Sequence, residues 1–448
     1  MREKTETALP HACNAASPAL QAGWRGRIES SAWSVADQGV VSLGNFGTGL
    51  MLGRNLAPAE FGVYGVVLGA MLFLNNIQGS LINYPLSVHG ATGDPEGLRR
   101  LTGMSLLLTG VLVIPMAIGI AWAAWAVKLL MLAPWILAAL ILWQFQETLR
   151  RALMSQMRHR DAVWGDAISY LGQAFLIAAL IQIGKLNLPN VFAAIALTSL
   201  LAAAVQWWQI KPRSASRFEI TDRASACWNL GRWTALSNMA GVVNLQVVLW
   251  TLAAVHGAAE AAKLSALGLI LGVMHPALFS VGNLIVPASA KAVRTGGAAG
   301  AKRVALSYGA LGGLLVVPFY LLLILEPQLA LRCFYGNASP YLALQLPLRL
   351  FAAAYVMSYI ATIQSALLNG MARSRSALVI QLAMVAGTLA VTLPLAVLGG
   401  VSWSLAGACI STLAGVFAGS LLLRARVRDR RHNLFFVTDD TAGMPAAA

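Results

Sequence analysis

Apolar residues run along this chain in long, almost unbroken blocks separated by short polar punctuation. A helix that crosses a bilayer needs about 20 mostly apolar residues. Twelve blocks meet that length, at 33–53, 61–88, 101–122, 134–153, 163–183, 191–210, 229–255, 264–290, 304–325, 347–369, 377–397 and 401–423. The pattern predicts twelve transmembrane helices. Prolines inside the blocks, such as Pro85, Pro115, Pro276, Pro318 and Pro394, are tolerable in membrane helices.

Composition agrees. The chain is 58% hydrophobic and 11% charged, against about 25% charged in soluble domains. A mean hydropathy of +0.68 over 448 residues exceeds what one soluble core absorbs. The net charge of +15 would suggest nucleic acid in a soluble protein, but its placement excludes that partner. With the N-terminus inside, twenty-six of the 32 Lys and Arg fall in cytoplasmic segments. Arg54, Lys128, Lys185, Lys263 and Arg332 fall outside, and Arg349 sits within a span. That asymmetry satisfies the positive-inside rule and places both termini in the cytoplasm. Trp33, Trp164, Trp207, Trp208, Trp228 and Trp233 cluster near the same helix ends, where indole rings sit half wet. The first thirty residues lack an apolar run and read as a polar cytoplasmic tail. Cys13, Cys227, Cys333 and Cys409 have neither metal nor disulfide spacing, so no metal site is expected.

One frame recurs. Gly65, Leu68, Gly69, Met71, Gly79, Leu81 and Ile82 match Gly268, Leu271, Gly272, Met274, Gly282, Leu284 and Ile285 at a constant offset. The matches fall in blocks two and eight, which predicts two six-helix bundles of the same polarity. Such bundles are related by an axis along the membrane normal, with the substrate path between them. The glycine pairs would also permit close helix packing. The resulting division is a tail (1–30), a first bundle (31–210), a basic linker (211–228), a second bundle (229–423) and a basic, then flexible, cytoplasmic tail (424–448).

Blocks one and two carry more than periodicity. "DQGVVSLGNF" at 37–46, followed by "LGRNLAPAEFGVYGVV" at 52–67, resembles the start of bacterial oligosaccharide flippases. These form the Wzx-type, polysaccharide-biosynthesis branch of the multidrug/oligosaccharidyl-lipid/polysaccharide exporter superfamily. The match covers about 35 residues, and elsewhere the likeness is one of topology. It implies an all-α, MATE-like fold in the bacterial inner membrane. It further implies a protein that moves undecaprenyl-pyrophosphate-linked oligosaccharide between leaflets by alternating access, for surface or extracellular polysaccharide assembly. Other polysaccharide-assembly membrane proteins and membrane lipids are its expected partners.

Charged side chains within spans are costly and rare, so each is a functional candidate. Asp37 shares a helical face with Ser34, Asn45 and Thr48. It either binds a transported proton or ties helix ends together. Asn75, Gly79 and Asn83 recur at four-residue spacing beside Asn76 and Gln78, a stripe suited to sugar hydroxyls or to interhelical hydrogen bonds. His275, next to Pro276, can titrate near neutrality or simply pack. Arg349 can hold phosphate oxygens or snorkel to the outer surface. Glu147 and Arg151, four apart, are predicted to pair. Together with Arg150 and Asp166 they also suit the cytoplasmic entrance for an anionic lipid.

"GGAAGAK" at 296–302 lacks the spacing of a phosphate loop. No HExxH or GxSxG occurs, and the longest outer loop, 326–346, is too short for a catalytic domain. The expectation is a transporter without cofactor rather than an enzyme. A cation-coupled multidrug antiporter of the same superfamily is the nearest alternative. A membrane glycosyltransferase, polymerase or ligase is the alternative from another class.

Overall fold

The structure is a computed structural model that describes residues 24–90, 95–213 and 217–428. The tail before residue 24, the segment 214–216 of the basic linker and the tail after 428 lie outside the described residues. Those described are almost entirely helical, with no strand among them.

The helices are α1 (Trp24–Asn55), α2 (Pro58–Gln78), α3 (Tyr84–Gly90), α4 (Pro95–Ala126), α5 (Ala133–Ser155), α6 (His159–Asp166), α7 (Gly172–Gln182) and α8 (Leu188–Ile210). They continue as α9 (Arg217–His256), α10 (Ala258–Gly272), α11 (His275–Leu325), α12 (Pro327–Tyr335), α13 (Gln345–Gly370), α14 (Ser374–Gly387) and α15 (Leu393–Arg428). Three π turns join neighbours: Gly79–Asn83 between α2 and α3, Ala167–Leu171 between α6 and α7, and Thr388–Thr392 between α14 and α15.

Eight helical runs among the described residues are long and apolar enough to cross a membrane. Two of them, His275–Leu325 and Ser374–Arg424, are 51 residues each. At about 1.5 Å per residue such a run is more than twice as long as the hydrocarbon core is thick. Each is broken by glycine: Gly297 in the first, Gly399 and Gly400 in the second. Each therefore supplies two spans, and the less apolar α1 and α9 supply the remaining two. The molecule is a polytopic, all-α membrane protein, and every one of the twelve predicted blocks falls on helix. Block eight is interrupted. Val273 and Met274 form a turn, and Pro276 sits in the first turn of α11 rather than mid-helix. Proline is favoured at a helix start, where its missing N–H costs nothing.

Contacts divide the chain into two compact units. The first comprises residues up to Asn45, Ile77–Leu176 and Pro189–Ala235; the second comprises Phe46–Asn76, Ile177–Leu188 and Leu236 onward. Helix α1 thus contributes its first part to one unit and its last turns to the other.

The recurrent glycines do not play equivalent parts. In the second unit, a methyl group built on Gly65 would run into Ser265, and one on Gly69 into Gln246. The same group on Gly268 would meet nothing within 4 Å, and on Gly272 only ordinary contact with His275. At these two positions the first copy packs closely and the second leaves the space open, whereas at the third pair Gly79 has nothing within 4 Å and Gly282 meets Thr362.

The 326–346 segment is folded rather than extended. Helix α12 and a short 3-10 turn, Pro340–Ala343, occupy most of it. Arg54 donates to the Cys333 and Phe334 carbonyls at the end of α12 (2.9 and 2.5 Å), and the Tyr335 hydroxyl donates to the Ala266 carbonyl (2.9 Å). The bonds from Arg54 satisfy carbonyls that a helix end leaves without intrahelical partners.

Candidate functional site

The densest chemistry lies inside the first unit. Helices α5 and α6 form a tight hairpin, turning at Met157 with φ 59°. This brings Arg150, near the end of α5, beside Asp166, the last residue of α6. The π turn that follows Asp166 widens the helix locally, a distortion that recurs at functional sites. Helix α1 then crosses this turn with no room to spare. A methyl group on Gly44 would lie 2.6 Å from the backbone of Tyr170. Seven residues back along α1, Asp37 reaches the same point.

Arg150 organises the cluster with all three guanidinium nitrogens. Its Nη2 donates to Asp37 Oδ2 (3.0 Å), its Nη1 to Glu147 Oε2 (3.4 Å) and its Nε to Asp166 Oδ2 (2.5 Å). Glu147 also accepts from Arg151 Nε (2.7 Å), the pair that their spacing predicts. Gln146 Nε2 donates to Asp166 Oδ1 (3.5 Å), and Asp37 and Asp166 share the one Arg150 guanidinium. Asp37, Glu147, Arg150 and Asp166 are all buried, whereas the Arg151 side chain is 44% exposed. Three carboxylates face two guanidinium groups, so one negative charge is in excess when every group is ionised. Charges are taken out of water at a cost of several kcal/mol each, and only close pairing offsets it. The fork geometry of arginine serves three carboxylates at once, which a lysine ammonium does not reproduce.

Around this cluster lie buried amides. Gln78 Nε2 donates to the Gln144 carbonyl and to Thr148 Oγ1 (2.8 Å each). Gln144, Gln206 and Asn83, by contrast, leave both side-chain polar atoms without a partner among the described residues, and Asp37 Oδ1 is likewise unpartnered. Such atoms are uncommon in folded proteins and invite water, a proton or a ligand.

The other sequence candidates are dispersed. Asn45 is exposed, while Thr48, three residues on, is buried in the second unit with its hydroxyl unpartnered. The polar face of α1 is therefore divided between the units rather than continuous. Asn75 belongs to the second unit and Asn83 to the first. In the second unit, His275 Nε2 meets the Tyr355 hydroxyl (2.9 Å) with the two rings stacked at 5.6 Å, beside Phe279. Arg349 is exposed, and its Nε donates to the Ile324 carbonyl (3.0 Å), one of the last of α11. The structure gives it a helix end to cap.

Sequence reasoning missed a cavity of about 400 Å³ in the second unit, between α11, α13 and α14. Its polar lining is Asn283, Ser358, Thr362, Ser365, Asn369 and Gln381. The amides in apolar blocks eight, ten and eleven were a visible signal, but no single helix repeats them at a fixed spacing.

Neither the family models nor the curated proteins compared with this chain give a match. Solved structures do. The chain is similar to the inward-facing conformation of a multidrug resistance MATE family transporter of the MOP superfamily, with a TM-score of 0.69 at 14% identity over 87% of this chain and 98% of that one. The outward-facing conformation of such a transporter gives 0.60 at 15% identity over 89% and 95%. A MOP superfamily transporter from Pyrococcus furiosus, described as having a binding pocket of reverse polarity, gives 0.57 at 15% identity over 89% and 95%. The fold is MATE-like.

Proposed function

We propose that this protein is a multi-pass transporter that moves a lipid-linked oligosaccharide, an undecaprenyl-pyrophosphate derivative, across the bacterial inner membrane by alternating access. Both termini lie in the cytoplasm in this reading. The observation that carries it is the buried Asp37–Glu147–Arg150–Asp166 cluster. A helical membrane unit held together only by packing has no use for three carboxylates around one arginine, at several kcal/mol of desolvation each. A device that takes up and releases a proton does. One proton taken up by the cluster cancels the excess charge, and its release restores it. The cluster thus has two states of different charge, to which a change of conformation can be coupled. The MATE-like fold supports transport, and the resemblance at 37–67 supports an oligosaccharide lipid as cargo.

Deleting the gene in the producing cell tests this reading. Lipid-linked repeat units should accumulate on the cytoplasmic leaflet and surface polysaccharide should disappear. Normal polysaccharide together with new sensitivity to cationic dyes would replace the reading with drug export. Sugar incorporation by the purified protein alone would replace it with an enzyme.

A further inference from the structure

We infer that the cavity between α11, α13 and α14 is a subsite for the sugar portion of the cargo, taking neutral, hydroxyl-rich rings and not phosphate. The inference rests on the transport reading above and assigns one part of the cargo to one place.

The cavity's volume of about 400 Å³ lies within the usual range of ligand sites, about 300–1,000 Å³. No Asp, Glu, Lys or Arg lines it. A phosphate would need a cationic or charge-assisted partner there, and an organic cation would need a carboxylate. What the walls offer instead is three amides and three hydroxyls. Each amide carries two donors and an acceptor with two lone pairs, and each hydroxyl both donates and accepts. Sugar hydroxyls, arranged around a ring, have the same dual character.

These groups are also available. Thr362 Oγ1 is engaged with the Ser358 carbonyl (2.9 Å). The side chains of Asn283, Ser365, Asn369 and Gln381 have no hydrogen-bond partner among the described residues. Asn283, Asn369 and Gln381 are exposed. Three free amides turned toward hydrocarbon would each cost several kcal/mol, so this face meets water or a polar ligand. Phe279, also on the wall, offers an aromatic face to the C–H side of a ring.

The cavity's position fits the rest of such a cargo. Lys291 and Arg294 follow its α11 wall within about three turns, and Arg373 and Arg375 follow its α13 wall within two. The charge asymmetry puts these residues at the cytoplasmic surface. A pyrophosphate at headgroup depth would find them there, while the attached sugars reach into the cavity.

Two probes separate the inference from the reading it rests on. One is undecaprenyl pyrophosphate. The other is the lipid-linked oligosaccharide fraction extracted from the producing cell. Binding of each to the purified full chain in nanodiscs is compared for the parent, for Asn369→Leu with Gln381→Met, and for the milder Ser365→Ala alone. The parent should bind the glycosylated lipid at least tenfold more tightly than the bare one. The double variant should lose most of that tenfold margin, Ser365→Ala about threefold, and both should bind bare lipid as the parent does. A parent that binds neither probe overturns the transport reading and this inference with it. A parent that binds both lipids equally, or variants that keep the full margin, overturn the subsite alone. If the double variant does not insert, Ser365→Ala decides the matter by itself.

Discussion

Replacing Arg150 with Met is the sharpest test of how the first unit is held together. Methionine keeps most of the side chain's length and apolar stem but removes its charge. At an effective dielectric constant of about 20, the attraction of Arg150 to Asp37 at 3.0 Å is about 5.5 kcal/mol, and to Glu147 at 3.4 Å about 5 kcal/mol. These are gross figures, and desolvation of the ions cancels much of them. What remains after removing one partner of a buried pair is a loss of about 3–5 kcal/mol, because the orphaned charges stay behind. Here Asp37 and Asp166 are orphaned together while Glu147 keeps Arg151, so the upper end applies. Thermal unfolding of the purified protein in one detergent should show a large drop for Arg150→Met, partly recovered on acidification as the carboxylates take up protons. Arg150→Lys should fall nearly as far, since an ammonium cannot satisfy three separated carboxylates. Asp37→Asn should behave oppositely. It removes the excess negative charge, so stability should hold or rise. Arg150→Met melting with the parent, or Asp37→Asn falling as far as Arg150→Met, would refute the reasoning.

Other consequences are open to measurement. Ahead of block eight, Glu260 accepts from Lys263 Nζ (2.5 Å) and from the Val401 amide (2.8 Å). Burial pushes its carboxyl up, but the hydrogen bonds from Lys263 and Val401 and the charge of Lys263 outweigh burial and hold it below the usual range. A lowered folded value means that its stabilisation is present above the ordinary carboxylate pKa and lost as pH falls through the folded one. Melting temperature followed from pH 7 downward should therefore decline in acid more for the parent than for Glu260→Gln, and parallel curves would contradict this. Gly44→Ala should cost about 1–3 kcal/mol, since the clash is with Tyr170 backbone that cannot swing aside; an unchanged melt would mean that α1 does not cross there. Gln206→Leu should stabilise by about 1–2 kcal/mol, because a fully buried amide with no partner is exchanged for an apolar group of similar size. Destabilisation would show instead that water satisfies it. Arg349→Ala should cost less than about 1 kcal/mol, a surface helix cap, and leave export intact; failed export from a normally folded protein would return Arg349 to the cargo path.

The membrane fold was legible because its cause is collective. About twenty apolar residues in a row have one stable use in a bilayer, whatever their order, so all twelve blocks could be read from composition alone. Breaks within helices were harder. Gly297 and Gly400 adopt positive φ, at 59° and 67°, yet nothing near them in the sequence separates them from Gly296 or Gly399. Their surroundings do not single them out either: a methyl group on Gly297 would meet nothing within 4 Å, while one on Gly399 would meet Trp403 and one on Gly400 the Glu260 carboxylate. The recurrent Gly65–Gly69 and Gly268–Gly272 frame teaches the same point. Identical glycines met a serine and a glutamine side chain in one copy and open space in the other, so a shared frame did not fix shared packing.

The site was legible in its parts and not in its assembly. Asp37, Glu147, Arg150 and Asp166 are each conspicuous as charges within apolar helices, and spacing alone gives the Glu147–Arg151 pair. That Arg150 gathers Asp37 from 113 positions away depends on α1 crossing the π turn at Gly44. No local rule forecasts that crossing. For Asp37 the alternatives are a proton site and a tie between helix ends, and for Glu147 and Asp166 local pairing and a cytoplasmic entrance; the geometry gives all three the same partner, Arg150. Arg150 is the partner that lets three carboxylates be buried together, and the excess negative charge left around it is what the proposed proton uptake would cancel.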